Sequence, residues 1–457
     1  MRITITSLEK NGSTKKLTIA PINADIQFIK TLDTNSLISD ELDKEILYLV
    51  CGIFTLESLL RDGRYKNKQI DKSLTYNIDI EINYLEQGLN QKLETIIYYL
   101  LTFSLGVMIK VKVIINQFSL NTNQLNDIKN EGSICLFSGG ADSFTGILNA
   151  KWKFGETTGI FVSHAMLRKL VEKKLTPYMA EQDININIIK IPKGRSALQQ
   201  MRGFVYTAIA GIFAHSKGLN KIIVSEIGPI MFQPAYDILD EVTITTHPIT
   251  LRLTKMFLEI FYKEKFEIIT PFKNLTKAEA VSLVKDYNVI KLTNSCRSTR
   301  YSNSDHQNCG CCLGCIIRRI SLIVSGIENE NDDNYAYDVF LKGEGEPVLG
   351  RKKGLKIKSK NFSELYQILN FADSIIRKSV SSISKIKIDE YNLNDLFFRF
   401  SLDVFSAAYL MYDKQSIGKN PLVKEKYFAL LKDSLIDVTL LEKRISEVRS
   451  NKYKPIY

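Results

Sequence analysis

The chain contains 457 residues, of which 61 are Lys or Arg and 50 are Asp or Glu, giving a formal net charge of +11. Hydrophobic residues make up 45% and charged residues 24%, a composition that excludes disordered, collagen-like and coiled-coil proteins. The longest apolar stretch is too short to span a bilayer, and the N-terminus has no signal-peptide pattern. We therefore expect a cytoplasmic protein without membrane contacts, whose positive charge fits an anionic partner.

At about 150 residues per domain, the length predicts about three domains. Alternating apolar residues near the N-terminus predict strands at 2–5, 76–82 and 107–115. Longer periodic patterns predict helices over 39–60 and 90–105. This mixture predicts an α+β domain over residues 1–130 without a recognisable chemical motif, and the polar segment 121–132 is a candidate linker.

From residue 133, short apolar strands alternate with helical segments. The predicted strands cover 133–137, 159–163, 186–191, 221–226 and 266–270. The predicted helices cover 143–152, 165–180, 196–217, 250–264 and 276–287. These alternations predict an α/β domain over 131–325 with a doubly wound, five-stranded parallel sheet covered on both faces. In such sheets the active site lies at the carboxyl ends of the strands.

A glycine-rich turn, SGGADS (138–143), connects the first of these strands to a helix. The paired glycines let the backbone approach an anion, and the hydroxyls of Ser138 and Ser143 and the N–H groups of the helix start can bind phosphate. Asp142 would repel a bare phosphate, which suggests a bridging Mg²⁺. The alternative is a connection that only needs flexible glycines.

Five cysteines lie within residues 296–315, namely Cys296, Cys309, Cys311, Cys312 and Cys315. In a reducing compartment this cluster indicates a metal site, since thiolates with C-x2-C spacing suit tetrahedral Zn²⁺. The expected zinc ligands are Cys296, Cys309, Cys312 and Cys315. An iron–sulfur cluster could use the same ligands. His306 could replace one thiolate, and Cys311 is the spare cysteine.

The region after residue 326 is predicted to be a mainly helical domain over 326–457. It begins with an acidic stretch and continues with RKKGLKIKSK (351–360), which carries six positive charges. This basic segment is a candidate contact for nucleic acid. A solvated surface is the more common explanation of such a run of charge.

The strand–SGGADS–helix unit resembles the PP-loop of the ATP pyrophosphatases, which cleave ATP between the α and β phosphates to adenylate a substrate. The resemblance implies ATP-binding residues in the loop and at the ends of the first two strands, namely Leu136, Phe137, Ser138, Gly139, Gly140, Ala141, Asp142, Ser143, Ser163 and His164. Together with Ser295-Cys296 and CGCCLGCIIR (309–318), the loop resembles the 7-cyano-7-deazaguanine synthase (QueC) family. PFKNLTKAE (271–279) is similar to the P…TKAE stretch of that family.

This resemblance implies ATP-dependent adenylation of 7-carboxy-7-deazaguanine, displacement of AMP by ammonia and dehydration of the amide to a nitrile. The zinc of the family is structural. The catalytic candidates are Asp142, Ser143, Lys273, Lys277 and Arg202. Lys273 and Lys277 could stabilise the departing pyrophosphate, although loop lysines are often only solvated. Arg202 would match the family's Arg-Asn motif, with Gly203 in place of Asn.

The chain departs from the family pattern in the segments that recognise the base. In their place we expect substrate contacts from Glu226, Gly228 and His247. A carboxylate such as Glu226 can accept hydrogen bonds from a guanine-like N1–H and amino group, although a loop or capping role is equally compatible. His164 and His247 could also be simple polar residues near the site.

The added N- and C-terminal regions resemble larger QueC-like proteins of anti-phage defence operons, such as the Qat and type IV CBASS kinds. This resemblance implies an operon-encoded protein partner, or a macromolecular amine in place of ammonia. One alternative function is a tRNA-modifying PP-loop enzyme that transfers sulfur or an amine. Another is a scaffold that binds ATP or nucleic acid without turnover.

Overall fold

The structure is a computed structural model, which describes residues 2–8, 14–19, 40–60, 75–84, 88–117, 131–163, 171–190, 200–232, 245–284, 286–296, 308–327, 335–348, 356–381 and 392–457. Within these ranges, no helix combines the length and the apolar character that crossing a membrane requires.

The N-terminal region is built on a four-stranded sheet with the strand order β2-β1-β3-β4. Its elements are β1 (Arg2–Leu8), β2 (Thr14–Ile19), α1 (Glu41–Leu60), β3 (Thr75–Tyr84), α2 (Asn90–Leu105) and β4 (Met108–Gln117). β1 pairs antiparallel with β2 and β3, whereas β3 and β4 are parallel and are joined by α2. The alternating residues Ile78, Ile80 and Ile82 are buried in the core, as period-two patterning of a strand requires.

The central region contains the expected five-stranded parallel sheet, with the order β7-β6-β5-β8-β9. Its strands are β5 (Ser133–Leu136), β6 (Thr157–Ser163), β7 (Asn185–Lys190), β8 (Lys221–Ile223) and β9 (Glu267–Ile269). Successive strands are added to one side of β5 as β6 and β7 and then to its other side as β8 and β9, so the strand order reverses between β5 and β8. Their carboxyl ends therefore border the crevice in which doubly wound sheets bind ligands.

The helices that flank this sheet and follow it are α3 (Ala141–Phe154), α4 (Thr176–Glu181), α5 (Arg202–Ser216), α6 (Gly228–Met231), α7 (Pro248–Tyr262), α8 (Lys277–Val281), α9 (Tyr287–Ile290) and α10 (Leu313–Ser325). A π-helical turn, Val171–Leu175, precedes α4. The predicted single helix over 276–287 is wrong, because α8 ends at Val281 and α9 is a separate turn. Asp286 starts that turn by accepting the Asn288 N–H with its carboxylate at 2.8 Å.

In the C-terminal region, residues 335–348 form turns and isolated β-bridges, and the described residues from Ser359 onwards are mainly helical. A 3-10 turn (Ser359–Phe362) leads into α11 (Ser363–Ser381), α12 (Leu393–Ala408), a π-helical segment (Tyr409–Lys414), α13 (Pro421–Lys432) and α14 (Val438–Arg449). Asn420 caps α13 by accepting the N–H groups of Leu422 and Val423, which agrees with the Asn-Pro start signal in the sequence.

Apolar packing joins the N-terminal region to the central sheet. One buried cluster includes Leu56 of α1, Leu100 of α2 and Phe204 of α5. A second cluster includes Ile316 of α10 and Phe405 of α12, so the C-terminal helices pack on the region that carries the cysteines. The boundaries near residues 130 and 325 stay a prediction, since hydrophobic cores extend across both.

Candidate active site and cysteine cluster

The phosphate loop lies at the carboxyl end of β5 and is held by its own serines. The Ser138 and Ser143 hydroxyls are 2.9 Å apart, and the Ser143 hydroxyl also donates to the Gly140 carbonyl at 3.1 Å. Gly139 has a φ of +77°, a left-handed conformation that favours glycine. Ala141 then begins α3, and the N-cap residue of this helix, Gly140, has no side chain that could cap it. The loop therefore presents backbone N–H groups and a helix dipole to the crevice.

Asp142 and Lys277 form an ion pair at this loop. The Lys277 Nζ lies 2.7 Å from Asp142 Oδ2, with only 8% and 15% of the two side chains exposed. Asp142 Oδ1 is buried and has no hydrogen-bond partner among the described residues. A buried carboxylate oxygen without a partner is costly, so this atom is suited to a cation such as Mg²⁺.

Glu226 follows β8 on the other side of the crevice and is partly buried. β8 is shorter than the predicted strand 221–226, because Ser225 and Glu226 leave the sheet at this edge. Desolvation, followed by the negative charge of Asp142, raises the pKa of Glu226 to about 7. Lys277 and Arg202 oppose this shift. The structure thus brings these four ionisable groups within electrostatic reach of one another.

Two further candidates contribute through their backbone. The Gly228 N–H donates to the Phe272 and Leu275 carbonyls, both at 3.1 Å. A Cβ at Gly228 would lie 2.2 Å from the Lys273 carbonyl oxygen, so this position requires glycine. The side chain of Lys273 is partly buried. Gly228 therefore fixes the loop that carries Lys273 beside the crevice.

The N-terminal end of α5 explains the glycine that follows Arg202. A Cβ at Gly203 would lie 1.5 Å from the Thr245 carbonyl, which leaves no room for any larger residue. Arg202 is exposed. His247 lies just beyond Thr245 and caps α7, since its Nδ1 accepts the Ile249 N–H at 3.2 Å. This cap corresponds to the simple polar role that the sequence left open for His247.

Ser163 ends β6, which agrees with its predicted place at a strand's carboxyl end. Its side chain, like the whole of His164, lies outside the described residues, as do His306 and residues 351–355. In the remainder of the basic segment, Lys356, Lys358 and Lys360 are exposed.

Four cysteine sulfurs converge in the cluster that the spacing predicted. The Sγ atoms of the set Cys296, Cys309, Cys312 and Cys315 all lie within 4.8 Å of one another. A tetrahedral shell with Zn–S bonds of about 2.3 Å has sulfur–sulfur edges of about 3.8 Å, so the four thiols fit a zinc ion. Cys311 is outside this set and accepts a hydrogen bond from the Asn361 amide at 3.8 Å.

The cysteine cluster and the phosphate loop share one segment of chain. The Asn294 N–H donates to the Gly139 carbonyl at 2.9 Å, and two residues later Cys296 enters the cluster. Arg318 is buried and holds the preceding turn, donating to Thr293 Oγ1 at 2.6 Å and to the Ile290 carbonyl at 2.9 Å. A metal in the cluster would therefore also hold the phosphate loop in place.

Sequence reasoning missed two hydroxyls in the crevice region. Ser225 Oγ and Ser295 Oγ are buried without hydrogen-bond partners among the described residues. Ser295 lies beside Gly140, because a Cβ on that glycine would be 3.9 Å from its Oγ. The signal was present for both, since Ser295 precedes a metal-ligand candidate and Ser225 precedes Glu226 at a strand end.

A doubly wound parallel sheet with a serine- and glycine-rich phosphate loop and a four-cysteine site defines the class of α/β nucleotide-using enzymes with an attached metal site. Residues 162–325 match the family described as "Queuosine biosynthesis protein QueC", so the chain contains a QueC-family domain. The phosphate loop precedes the matched range, and its interpretation rests on its own pattern and geometry.

Several relatives are 7-cyano-7-deazaguanine synthases. That of Clostridium botulinum (Type A) is 26% identical over 213 residues, which cover 41% of this chain and 93% of the relative. That of Clostridium acetobutylicum is 24% identical over 216 residues, covering 42% and 93% respectively. The Clostridium novyi enzyme is 23% identical over 216 residues, covering 42% and 94%. At the family level these similarities support an ATP-dependent enzyme of the ligase type that acts on a deazaguanine.

Proposed function

We propose that this chain uses ATP to adenylate a 7-carboxy-7-deazaguanine-type carboxylate, which an amine then converts to an amide. A carboxylate is a poor electrophile, and its attack on the α-phosphorus of ATP gives an acyl adenylate and pyrophosphate. The amine adds to the acyl carbon, loses a proton and expels AMP. When the amine is ammonia, a second ATP can adenylate the amide oxygen with release of pyrophosphate, and loss of AMP and of the two N–H protons then gives the nitrile.

The phosphate loop binds the triphosphate in this proposal. The N–H groups of Gly139 and of the first turn of α3 face the phosphates. The Ser138–Ser143 hydroxyl pair, which also accepts the Gly140 N–H at 3.3 Å, holds the loop in this shape. Asp142 Oδ1 would hold a Mg²⁺ ion, which supplies charge neutralisation to the phosphates when it is bound.

Lys277 stabilises the departing pyrophosphate in this proposal. Its ammonium group is already oriented by Asp142 at 2.7 Å and is nearly buried. A fixed cation in a site of low dielectric stabilises developing charge more than a solvated lysine does. Arg202 and Lys273 add positive charge at the edge of the crevice. The buried Asp142–Lys277 pair, whose second carboxylate oxygen has no partner in the part of the chain that the structure describes, is the observation that carries the proposed function.

Glu226 recognises the base in this proposal, with Gly228 shaping the loop beside it. Once ionised, the carboxylate accepts hydrogen bonds from a guanine-like N1–H and the adjacent amino group. Glu226 lies across the crevice from the phosphate loop, at the point where the strand order reverses. The base and the triphosphate would therefore bind on opposite sides of the crevice, with the carboxylate of the substrate between them.

The test is an incubation of the full chain with 7-carboxy-7-deazaguanine, ATP, Mg²⁺ and ammonia, followed by mass spectrometry of all products. We expect AMP, pyrophosphate and an amide or nitrile of the deazaguanine. Formation of ADP and phosphate would contradict adenylation. Turnover only with tRNA would favour a tRNA-modifying enzyme, and salt-dependent RNA or DNA binding without ATP cleavage would favour a scaffold. A second incubation with candidate protein acceptors would identify a macromolecular amine.

A further inference from the structure

The C-terminal helices reach the candidate active site through one buried carboxylate. Glu279 lies two residues after Lys277 on α8, and its side chain is fully buried, with 0% exposed. Arg399 of α12 donates to both carboxylate oxygens. Arg444 of α14 pairs with Oε1 at 2.7 Å. Two guanidinium groups from the C-terminal region thus bind the short helix that carries Lys277.

Glu279 also closes the first turn of that helix. Its Oε2 accepts the Thr276 N–H at 2.9 Å, and Thr276 Oγ1 accepts the Glu279 N–H at 3.4 Å, which together form a capping box. Arg444 also donates to Thr276 Oγ1 at 3.3 Å. Lys277 is the first residue inside this box. Its backbone is therefore held on both sides by groups that the two arginines contact.

Both arginines also pair with acidic side chains of the C-terminal region, and Arg444 is buried whereas Arg399 is partly buried. Asp403 accepts from Arg444 Nε at 2.8 Å, and Asp395 accepts from Arg399 Nε at 2.8 Å. The ring of Tyr453 covers both guanidinium groups, at 4.9 Å from Arg399 and 5.3 Å from Arg444. Although burial opposes charge, Asp403 and Glu279 together raise the pKa of Arg444. The hydrogen bonds of this network fix its members in one arrangement.

We propose that Arg399 and Arg444 are positioning residues, which hold Glu279 and the capping box so that Lys277 Nζ stays against Asp142. Both arginines lie outside residues 162–325, the range that matches the QueC family. The C-terminal helices thereby complete a site whose other parts belong to the central domain. The catalytic consequence of this arrangement depends on the proposed function, whereas the structural consequence does not.

The test uses the full chain with Arg399→Gln, because Arg399 is less buried than Arg444 and the amide keeps similar shape. Two readouts are measured: amide hydrogen exchange of residues 276–281 and 138–143, and kcat and KM for AMP formation. We expect exchange in both segments to rise about 10-fold. We expect kcat to fall roughly 10- to 100-fold, with little change in KM for ATP, because a small displacement of Lys277 affects the transition state most.

Three further variants separate positioning from simple stabilisation. Arg399→Lys keeps the charge and should partly restore both readouts. Asp395→Asn removes a half-exposed partner and should give a smaller effect in the same direction, in a protein that still folds. Arg377→Gln removes a surface arginine of α11 that pairs with Asp373 and Asp433, and it should change neither readout.

The proposal is overturned if Arg399→Gln lowers the melting temperature while exchange at 276–281 and 138–143 and kcat per folded molecule stay unchanged. If the wild-type chain forms no AMP from ATP and the acid, the proposed function fails. Hydrogen exchange then still decides whether the arginines hold Lys277.

Discussion

The phosphate loop and the cysteine cluster lie next to each other in the fold but differ in how their polar atoms are paired. In the loop region, Asp142 Oδ1, Ser225 Oγ and Ser295 Oγ are buried and without partners among the described residues. In the cluster, the four sulfurs turn towards one another, and the Cys309 N–H donates to Cys296 Sγ at 3.3 Å. The first region therefore has polar atoms that could bind a ligand, and the second has four sulfurs close enough to share one metal ion.

Because of this difference, we expect substitutions in the loop region to affect mainly the reaction and substitutions in the cluster to affect mainly the free energy of unfolding. Partnerless polar atoms in a site are costly to the folded state and can be changed without loss of stability. A metal site with only protein ligands contributes folding free energy directly, so its ligands cannot be changed without cost. Residues 294–296 join the two regions, so a change in one of them can be measured in the other.

The largest expected effect is on turnover, from Asp142→Asn. The amide cannot hold Mg²⁺ as a carboxylate does and leaves Lys277 without its counterion. We expect the rate of AMP formation to fall by about 10³-fold, a magnitude typical of losing a key electrostatic group. The melting temperature should also fall, because the nearly buried Lys277 loses its counterion, so the rate is compared per folded molecule. A quenched-flow assay and calorimetry check both, and full activity of the variant would remove Asp142 from the site.

The second effect is on stability, from Cys309→Ser. Loss of one thiolate should release the metal and destabilise the fold by about 3–5 kcal/mol, since metal binding and folding are coupled. Elemental analysis measures bound zinc and iron, which also distinguishes a zinc site from an iron–sulfur cluster. Activity should fall as well, because the Asn294–Gly139 hydrogen bond connects the cluster to the loop. Retention of both metal and stability would contradict the assignment of Cys309 as a ligand.

The third effect depends on pH and concerns Glu226. Its pKa of about 7 predicts that binding of the deazaguanine acid strengthens as the pH rises from 6 to 8, because only the carboxylate accepts two N–H groups. Glu226→Gln should flatten this dependence and weaken binding roughly 10-fold at pH 8, the value of one charged hydrogen bond. Isothermal titration at several pH values measures this, and an unchanged pH profile would exclude Glu226 from base recognition.

Whereas substrate binding should strengthen as the pH rises, the contribution of Glu226 to the free energy of unfolding should decrease. The folded-state pKa of Glu226 lies above its ordinary value, so the protonated form is favoured by folding. Its contribution to stability is present at low pH and is lost as the pH rises through about 7. As the pH rises from 4.5 to about 7, the free energy of unfolding of Glu226→Gln should therefore decrease less than that of the wild type.

The sequence predicted the parallel sheet, the phosphate loop and the cysteine cluster because each depends on local spacing. Apolar strands at regular intervals predict the sheet, and C-x2-C turns bring their sulfurs together whatever surrounds them. It did not predict that Lys277 pairs with Asp142, which lies 135 positions earlier in the chain. Such contacts depend on how distant elements pack, and no periodicity reports them.

The arginine pair on Glu279 was missed for the same reason. The sequence contains the capping-box pattern at Thr276 and Glu279, which predicts a helix start and nothing more. Arg399 and Arg444 lie on amphipathic helices where charged residues usually face solvent. Only the packing of α12 and α14 against α8 shows that these two side chains point inwards.

The smallest expected effect comes from Cys311→Ser, which tests whether the cluster is as closed as its geometry indicates. Cys311 Sγ lies 3.9 Å from Cys309 Sγ but outside the set of four sulfurs that share one centre. Serine preserves the hydrogen bond from Asn361 and removes a spare thiolate. We expect metal content and AMP formation to stay within about 2-fold of the wild type, since most exposed or half-exposed substitutions cost under about 0.5 kcal/mol. Loss of the metal would mean that Cys311 is a ligand and that one of the four assigned sulfurs is not. The cluster would then not be a closed set of these four sulfurs, whereas the description of the phosphate loop would stand.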